Sequence, residues 1–236
     1  MQVGVIASVN EARADRFTHR TAIVIDVLRA TSTMVAALEA GVTGIVPAET
    51  VMEARALVRP GDLLGGERFC RKIAGFDLSN SPSEYRKDTV GGKRIVLTTT
   101  NGTRAILKAL RAENILTGAL VNATACARTA LELRRDVVLL CAGSHEEFAL
   151  EDGLCAGMLL DRMESLCTQS VETDDFGSAM LALYRNRAHS LAETISNSAT
   201  GRRLTKMGLA RDIEYCAGTD VSDVVPRLSG DSLTRA

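Results

Sequence analysis

Four short stretches of this chain gather acids, arginines and hydroxyls closely enough to suggest chemistry. The first is Asp26-Val27-Leu28-Arg29-Ala30-Thr31-Ser32-Thr33. Residues 21–27 form an apolar, β-branched run broken only by Asp26. An unpaired carboxylate in such a run is expensive, so Asp26 needs a cation: a metal, Arg29, or both. Thr31, Ser32 and Thr33 stand where a helix should begin, and backbone N–H groups there favour anions. Plain N-capping by one of them is the alternative reading. The second stretch is Gly66-Glu67-Arg68 and the third Thr98-Thr99-Thr100-Asn101-Gly102-Thr103. A single cap needs one hydroxyl or the Asn, so the others point to donors around an anion. The fourth runs from Gly143-Ser144-His145-Glu146-Glu147 to Glu151-Asp152, where acids also suit a helix dipole. Carboxylates at Asp26, Glu67 and Asp152, with arginines at Arg29 and Arg68, fit Mg²⁺ holding a phosphate. The arginines would grip further anionic oxygens.

Spacing removes several rival chemistries. Covalent-aspartate phosphatases need a second Asp two residues after the first, and Leu28 stands there. None of the six cysteines has an arginine six residues on, and the three histidines have no metal-ligand spacing. Gly91-Gly92-Lys93-Arg94 lacks the glycine spacing and hydroxyl of a Walker A loop. No G-x-G-x-x-G follows a strand and no G-x-S-x-G elbow occurs.

Composition sets the frame. The 236 residues are 46% hydrophobic, with 28 basic and 29 acidic side chains and a net charge of −1, which argues against a nucleic-acid partner. Aromatics are 3% with no Trp, so stacking platforms for bases or sugars are disfavoured. No apolar run is long enough for a membrane span, and no signal peptide is visible at the start. Six cysteines without a C-x-x-C read as reduced thiols, hence a cytoplasmic protein. A homodimer is held open only on the frequency of dimers among soluble enzymes.

The elements that must position these residues alternate. Strands are expected over 21–27, 44–48, 62–65, 94–98, 114–117, 136–142 and 224–228. Helices are expected over 31–39, 50–58, 102–112, 122–134, 150–167 and 176–187, with shorter pieces to 207. Thr50 and Glu53 form a capping box, and Ser81-Pro82-Ser83-Glu84 is read as a further helix start. Asp174-Asp175 is read as a helix cap rather than a metal pair. This is an α/β class: a mainly parallel or mixed sheet with helices on both faces and a helical C-terminal part. One domain over 1–236 is expected, with two sub-lobes divided near 148 as the alternative. Ligands in such sheets bind beyond the carboxyl ends of the strands, where the four stretches lie.

The chain resembles the 2-phosphosulfolactate phosphatases of coenzyme M biosynthesis. The stretch 24–33, Gly66-Glu67-Arg68 and Gly75-Phe76-Asp77-Leu78-Ser79-Asn80-Ser81-Pro82-Ser83-Glu84 carry the likeness. So do 98–103, Cys141-Ala142-Gly143, Leu150-Glu151-Asp152 and Asp212-Ile213-Glu214-Tyr215-Cys216-Ala217. The chain departs from the family pattern at Phe69-Cys70 and at Ser79, in the loop expected to approach substrate. The resemblance implies Mg²⁺-dependent hydrolysis of a small anionic phosphate ester, 2-phospho-3-sulfolactate. Asp26, Glu67 and Asp152 are the expected metal ligands, and Asp26, Arg29, Glu67 and Arg68 the expected catalytic residues, the two arginines clamping carboxylate, sulfonate or phosphate. Substrate contacts are expected from Thr31, Ser32, Thr33, Asn80, Ser81, Thr99, Thr100, Asn101, Gly102, Thr103 and Gly143. Attack by water and attack by Asp26 both stay open. So do two alternatives: a phosphohydrolase for another phosphorylated acid, and a non-catalytic binder of an anionic metabolite.

Overall fold

Local patterning places the elements. The computed structural model describes residues 1–236 other than Glu146 and Gln169. Its N-terminal half contains β1 (Gln2–Ile6), β2 (Thr21–Ile25), α1 (Ala30–Glu39), β3 (Gly44–Ala48) and α2 (Val51–Leu57). There follow β4 (Leu63–Arg68), β5 (Arg71–Lys72), α3 (Lys87–Val90), β6 (Arg94–Thr98) and α4 (Gly102–Lys108). Next come β7 (Asn114–Gly118), α5 (Ala123–Glu132), β8 (Val137–Cys141) and α6 (Leu150–Leu166). The remainder is β9 (Glu172–Thr173), α7 (Asp175–Arg187), α8 (Leu191–Ser196), α9 (Ala199–Lys206), α10 (Ala210–Cys216), β10 (Pro226–Ser229) and β11 (Ser232–Arg235).

Among the described residues eleven strands form one mixed sheet in the order β5-β4-β6-β3-β11-β10-β7-β2-β8-β1-β9. Two parallel blocks stand in it, β4-β6-β3 and β7-β2-β8-β1-β9. The antiparallel hairpin β10–β11 joins them through one register pair on each side, Arg227 with Leu116 and Leu233 with Ile45.

β2 is buried along its whole length because it is covered on both faces, which its unbroken apolar run requires. Ile23 and Ile25 pack under α5 and α6 with Leu139, Leu154 and Leu159. Ala22 and Val24 share the opposite core with Met34 and Leu38 of α1 and Ile106 of α4. Ile45, Ile95 and Leu97 from the other block lie in that same core. Both blocks therefore close over α1 and α4. Val46, Val96 and Ala54 form a smaller core under α2.

The α/β class and the helical C-terminal part are as expected, and the differences have local causes. Residues 81–84 make a single 3-10 turn rather than a helix start. Glu84 is drawn back to accept from the backbone N–H (2.7 Å) and hydroxyl (2.6 Å) of Ser79, which removes the capping box. The first strand and the second half of the C-terminal hairpin carry weak apolar signals and were not anticipated. Thr50 and Glu53 do form their capping box, and Asp174 caps α7 through Gly177 N–H at 2.8 Å.

Candidate active site

The carboxyl ends of β2, β4, β6 and β8 meet at one small cavity that opens to solvent. Asp26 leaves β2 and lines it. Asp26 Oδ1 accepts the Ala30 N–H (3.1 Å), which fixes the carboxyl against the first turn of α1. Glu67 sits near the end of β4. Its Oε1 accepts from both the backbone and the hydroxyl of Thr100 (2.8 Å each), and its Oε2 from Cys70 N–H (2.7 Å). Asp152, in the first turn of α6, bridges two strand ends. It accepts from Val27 N–H (2.9 Å) after β2 and from Gly143 N–H (3.0 Å) after β8. Two glycines make the approach possible. A Cβ on Gly66, at φ +144, would stand 2.0 Å from the Thr98 carbonyl oxygen, and one on Gly102 would stand 2.7 Å from Asp26 Oδ2.

Positive charge is short in this cavity. Arg29 lines it, but its guanidinium donates to Asp212 at 2.5 Å and to the Cys70 carbonyl at 3.2 Å. Both side chains of that ion pair are almost fully buried. Ser81 donates to the other oxygen of Asp212 at 2.6 Å. Arg29 is thus paired with Asp212 of α10, and its charge lowers the Asp26 carboxyl less than burial raises it. Burial pushes the Asp26 carboxyl up to about 7; Ala30 N–H opposes this, while the nearby charges of Glu67 and Glu151 add to it. Burial also pushes Asp152 well above the usual carboxylate range, helped by Asp26 and Glu151 and opposed by the Val27 and Gly143 N–H groups.

Of the anticipated residues, Asp26, Arg29, Glu67 and Asp152 come together at the cavity. Asn80, Thr100, Asn101 and Gly143 join them in its wall. Arg68 does not line it: its guanidinium donates to the backbone of Glu67 and Glu49 and to Thr98 Oγ1. Thr31, Ser32 and Thr33 are fully buried and turned to the chain itself. Thr31 Oγ1 bonds both backbone groups of Asp26, Ser32 donates to Val27 O, and Thr33 to Asn80 O. Thr99 and Thr103 bond each other's backbone in the same way. Gly102 and Ser81 stand behind the cavity wall, supporting Asp26 and Asp212. The hydroxyl-rich stretches therefore brace the acids, and only Thr100 of the threonines named beforehand reaches the cavity.

Glu151, read in the sequence as an acid that suits the helix dipole, lines the cavity, as do Thr200 and Arg203, which no sequence motif marks. Thr200 and Arg203 belong to α9. His145 stands at the rim with its ring nitrogen against Arg203 Nη1. Glu146, part of the polar run named in the sequence, lies outside the described residues.

Carboxylates, amide donors and helix starts collected at the strand ends of an α/β sheet define a protein that takes a small, oxygen-rich ligand. The chain belongs to the family described as 2-phosphosulpholactate phosphatase, whose profile it matches over residues 6–231. It is 38% identical over 230 residues to a probable 2-phosphosulfolactate phosphatase of Clostridium tetani, covering 96% of this chain and 97% of that one. A protein of the same description from Clostridium novyi is 37% identical over the full length of both. One from Thermotoga maritima is 41% identical over 209 residues, 89% of each chain. Among the described residues no helix is long and apolar enough to cross a membrane, and all six cysteines are free thiols.

Proposed function

We propose that the chain hydrolyses 2-phospho-3-sulfolactate to 3-sulfolactate and phosphate, with Mg²⁺ held by Asp26, Glu67 and Asp152. The observation that carries this is the set of four buried carboxylates, Asp26, Glu67, Glu151 and Asp152, at one cavity where Arg29 is already paired with Asp212.

The donor set fits a hard cation. Asp26 and Asp152 are pushed toward protonation by burial and by the neighbouring carboxylates, and a bound cation would favour their ionised forms. Asn80 Oδ1, buried in the same wall, has no hydrogen-bond donor within the protein and offers one more oxygen. Among the described residues no three acid, Cys or His side chains form a ready-made metal cluster. Mg²⁺ is commonly held by one or two carboxylates, with waters and substrate phosphate completing its shell. Mg²⁺ supplies charge neutralisation at phosphoryl oxygens when bound.

The protein's own groups do the rest. Asp26 Oδ1 is fixed by the Ala30 N–H, which leaves Oδ2 as the oxygen to accept a proton. Asp26 takes a proton from the attacking water as the water oxygen bonds phosphorus. The ester P–O bond breaks, and the leaving alkoxide takes a proton from solvent water to become the hydroxyl of 3-sulfolactate, while Asp26 returns its proton to solvent. Thr100 holds Glu67 in place, and Gly143 and Val27 hold Asp152.

The test is phosphate release from 2-phospho-3-sulfolactate. Activity should require Mg²⁺, vanish with EDTA, and fall by about 10²–10⁴-fold in Asp26→Asn. Full activity in EDTA or in the variant would refute the mechanism. Faster release from other phosphorylated acids would overturn the substrate, and binding without any release would overturn the catalytic reading.

A further inference from the structure

We propose that Arg203 of α9 is the specificity-determining residue that holds the sulfonate of the substrate. This rests on the phosphatase reading and adds the residue that distinguishes a sulfonated ester from an otherwise identical one.

The inner wall of the cavity is acidic. Whatever neutralises the phosphate end, a second anion on the same small molecule cannot lie against Glu67, Glu151 or Asp152 without repulsion. It must face a cation with charge to spare. Arg29 is bound to Asp212, and Arg68 points into the backbone behind β4. Among the described residues Arg203 is the only guanidinium lining the cavity without a carboxylate partner; its polar contact is the His145 ring.

Position agrees with charge. Arg203 lines both the cavity and an adjoining surface groove, whose other basic side chains are Arg71, Arg202 and Lys206. Positive potential therefore increases outward from the acids, and an anionic tail placed at the mouth lies along it. Thr200, three residues earlier and on the same helix face, also lines the cavity and adds a hydroxyl donor beside the guanidinium. A sulfonate stays ionised at any physiological pH and has three acceptor oxygens, which suit the planar fork of an arginine better than a lysine ammonium.

The experiment compares kcat/KM for 2-phospho-3-sulfolactate and for 2-phospholactate, the same ester without the sulfonate. Wild type, Arg203→Ala and Arg203→Lys are measured with Mg²⁺ present, and thermal unfolding confirms that the variants are folded. The preference for the sulfonated ester should fall between about tenfold and about a hundredfold in Arg203→Ala, mostly through KM. Arg203→Lys should recover part of it. A preference unchanged in Arg203→Ala, or equal losses on both esters, would overturn the assignment. If wild type releases phosphate from neither ester, the phosphatase reading fails on its own. Calorimetric binding of 3-sulfolactate then decides Arg203 separately: weakened binding in Arg203→Ala supports it, and equal binding or none by wild type overturns it.

Discussion

Asp26 shows how one side chain can be costly in the fold and useful in the site. Its carboxyl titrates near 7, against 3.8 for an unperturbed Asp, because it is buried beside Glu67 and Glu151. In the metal-free chain the native state thus keeps a proton that the unfolded state has already released. The stability from that proton is complete below about pH 4 and is lost as pH rises to about 7. Without metal, Asp26→Asn should therefore gain on wild type in urea midpoint between pH 4 and pH 7. A constant difference across that range would contradict the raised carboxyl. Asp212 gives the opposite case. It neutralises a guanidinium that is 2% exposed, so Asp212→Asn should cost about 3–5 kcal/mol in chemical denaturation. A loss below about 1 kcal/mol would mean that Arg29 finds another partner. The acids and Arg29 were legible in the sequence, since each is costly to bury without a purpose. The hydroxyls were legible only as a group. Thr31, Ser32, Thr33, Thr99 and Thr103 brace backbone, and residue type alone does not separate a braced hydroxyl from one that meets a ligand.

At the level of elements, the approach of α4 to β2 is set by a missing side chain. A methyl group at Gly102 would meet Ala30 Cβ at 2.5 Å and Asp26 Oδ2 at 2.7 Å. Gly102→Ala should displace the start of α4 at a cost of about 1–3 kcal/mol. Phosphate release should fall by more than the stability loss explains. Retention of wild-type kcat would show that Asp26 tolerates the shift. The buried strands β2, β6 and β8 could be read from their continuous apolar runs. The C-terminal hairpin could not, because β10 and β11 mix polar and apolar residues and depend on neighbours for burial. α9, which supplies Arg203, was anticipated only as one of several short helical pieces. Its basic face looks like an ordinary solvated surface until the fold brings it to the cavity mouth.

On the scale of the whole molecule, the two parallel blocks form one body through the hairpin. Leu233 is fully buried in the core that both blocks share, opposite Ile45. Leu233→Ala should cost about 2–5 kcal/mol in urea unfolding and weaken the cavity, whose acids come from both blocks. Met52, on α2 and 81% exposed, provides the contrast: Met52→Ala should stay within about 0.5 kcal/mol. Similar losses at the two positions would mean that the hairpin does not tie the blocks together. Net charge taken over the whole chain is close to zero, and it conceals a separation that matters: acids inside the cavity, basic groups around its mouth.

The pairing of β1 also bears on how the chain reaches this shape. Val3 pairs with Val137 and with Thr173, and Thr21 of β2 pairs with Asn114 and Val137. The first strands to be made have no partners until the chain has run to about its middle. Contacts so distant in sequence place folding in the slow range of single domains, on the order of milliseconds to seconds. During that interval β2 is a bare apolar strand carrying Asp26 at its end. The same carboxylate that serves the cavity thus stands as a charged residue flanking a bare apolar strand before any cavity exists.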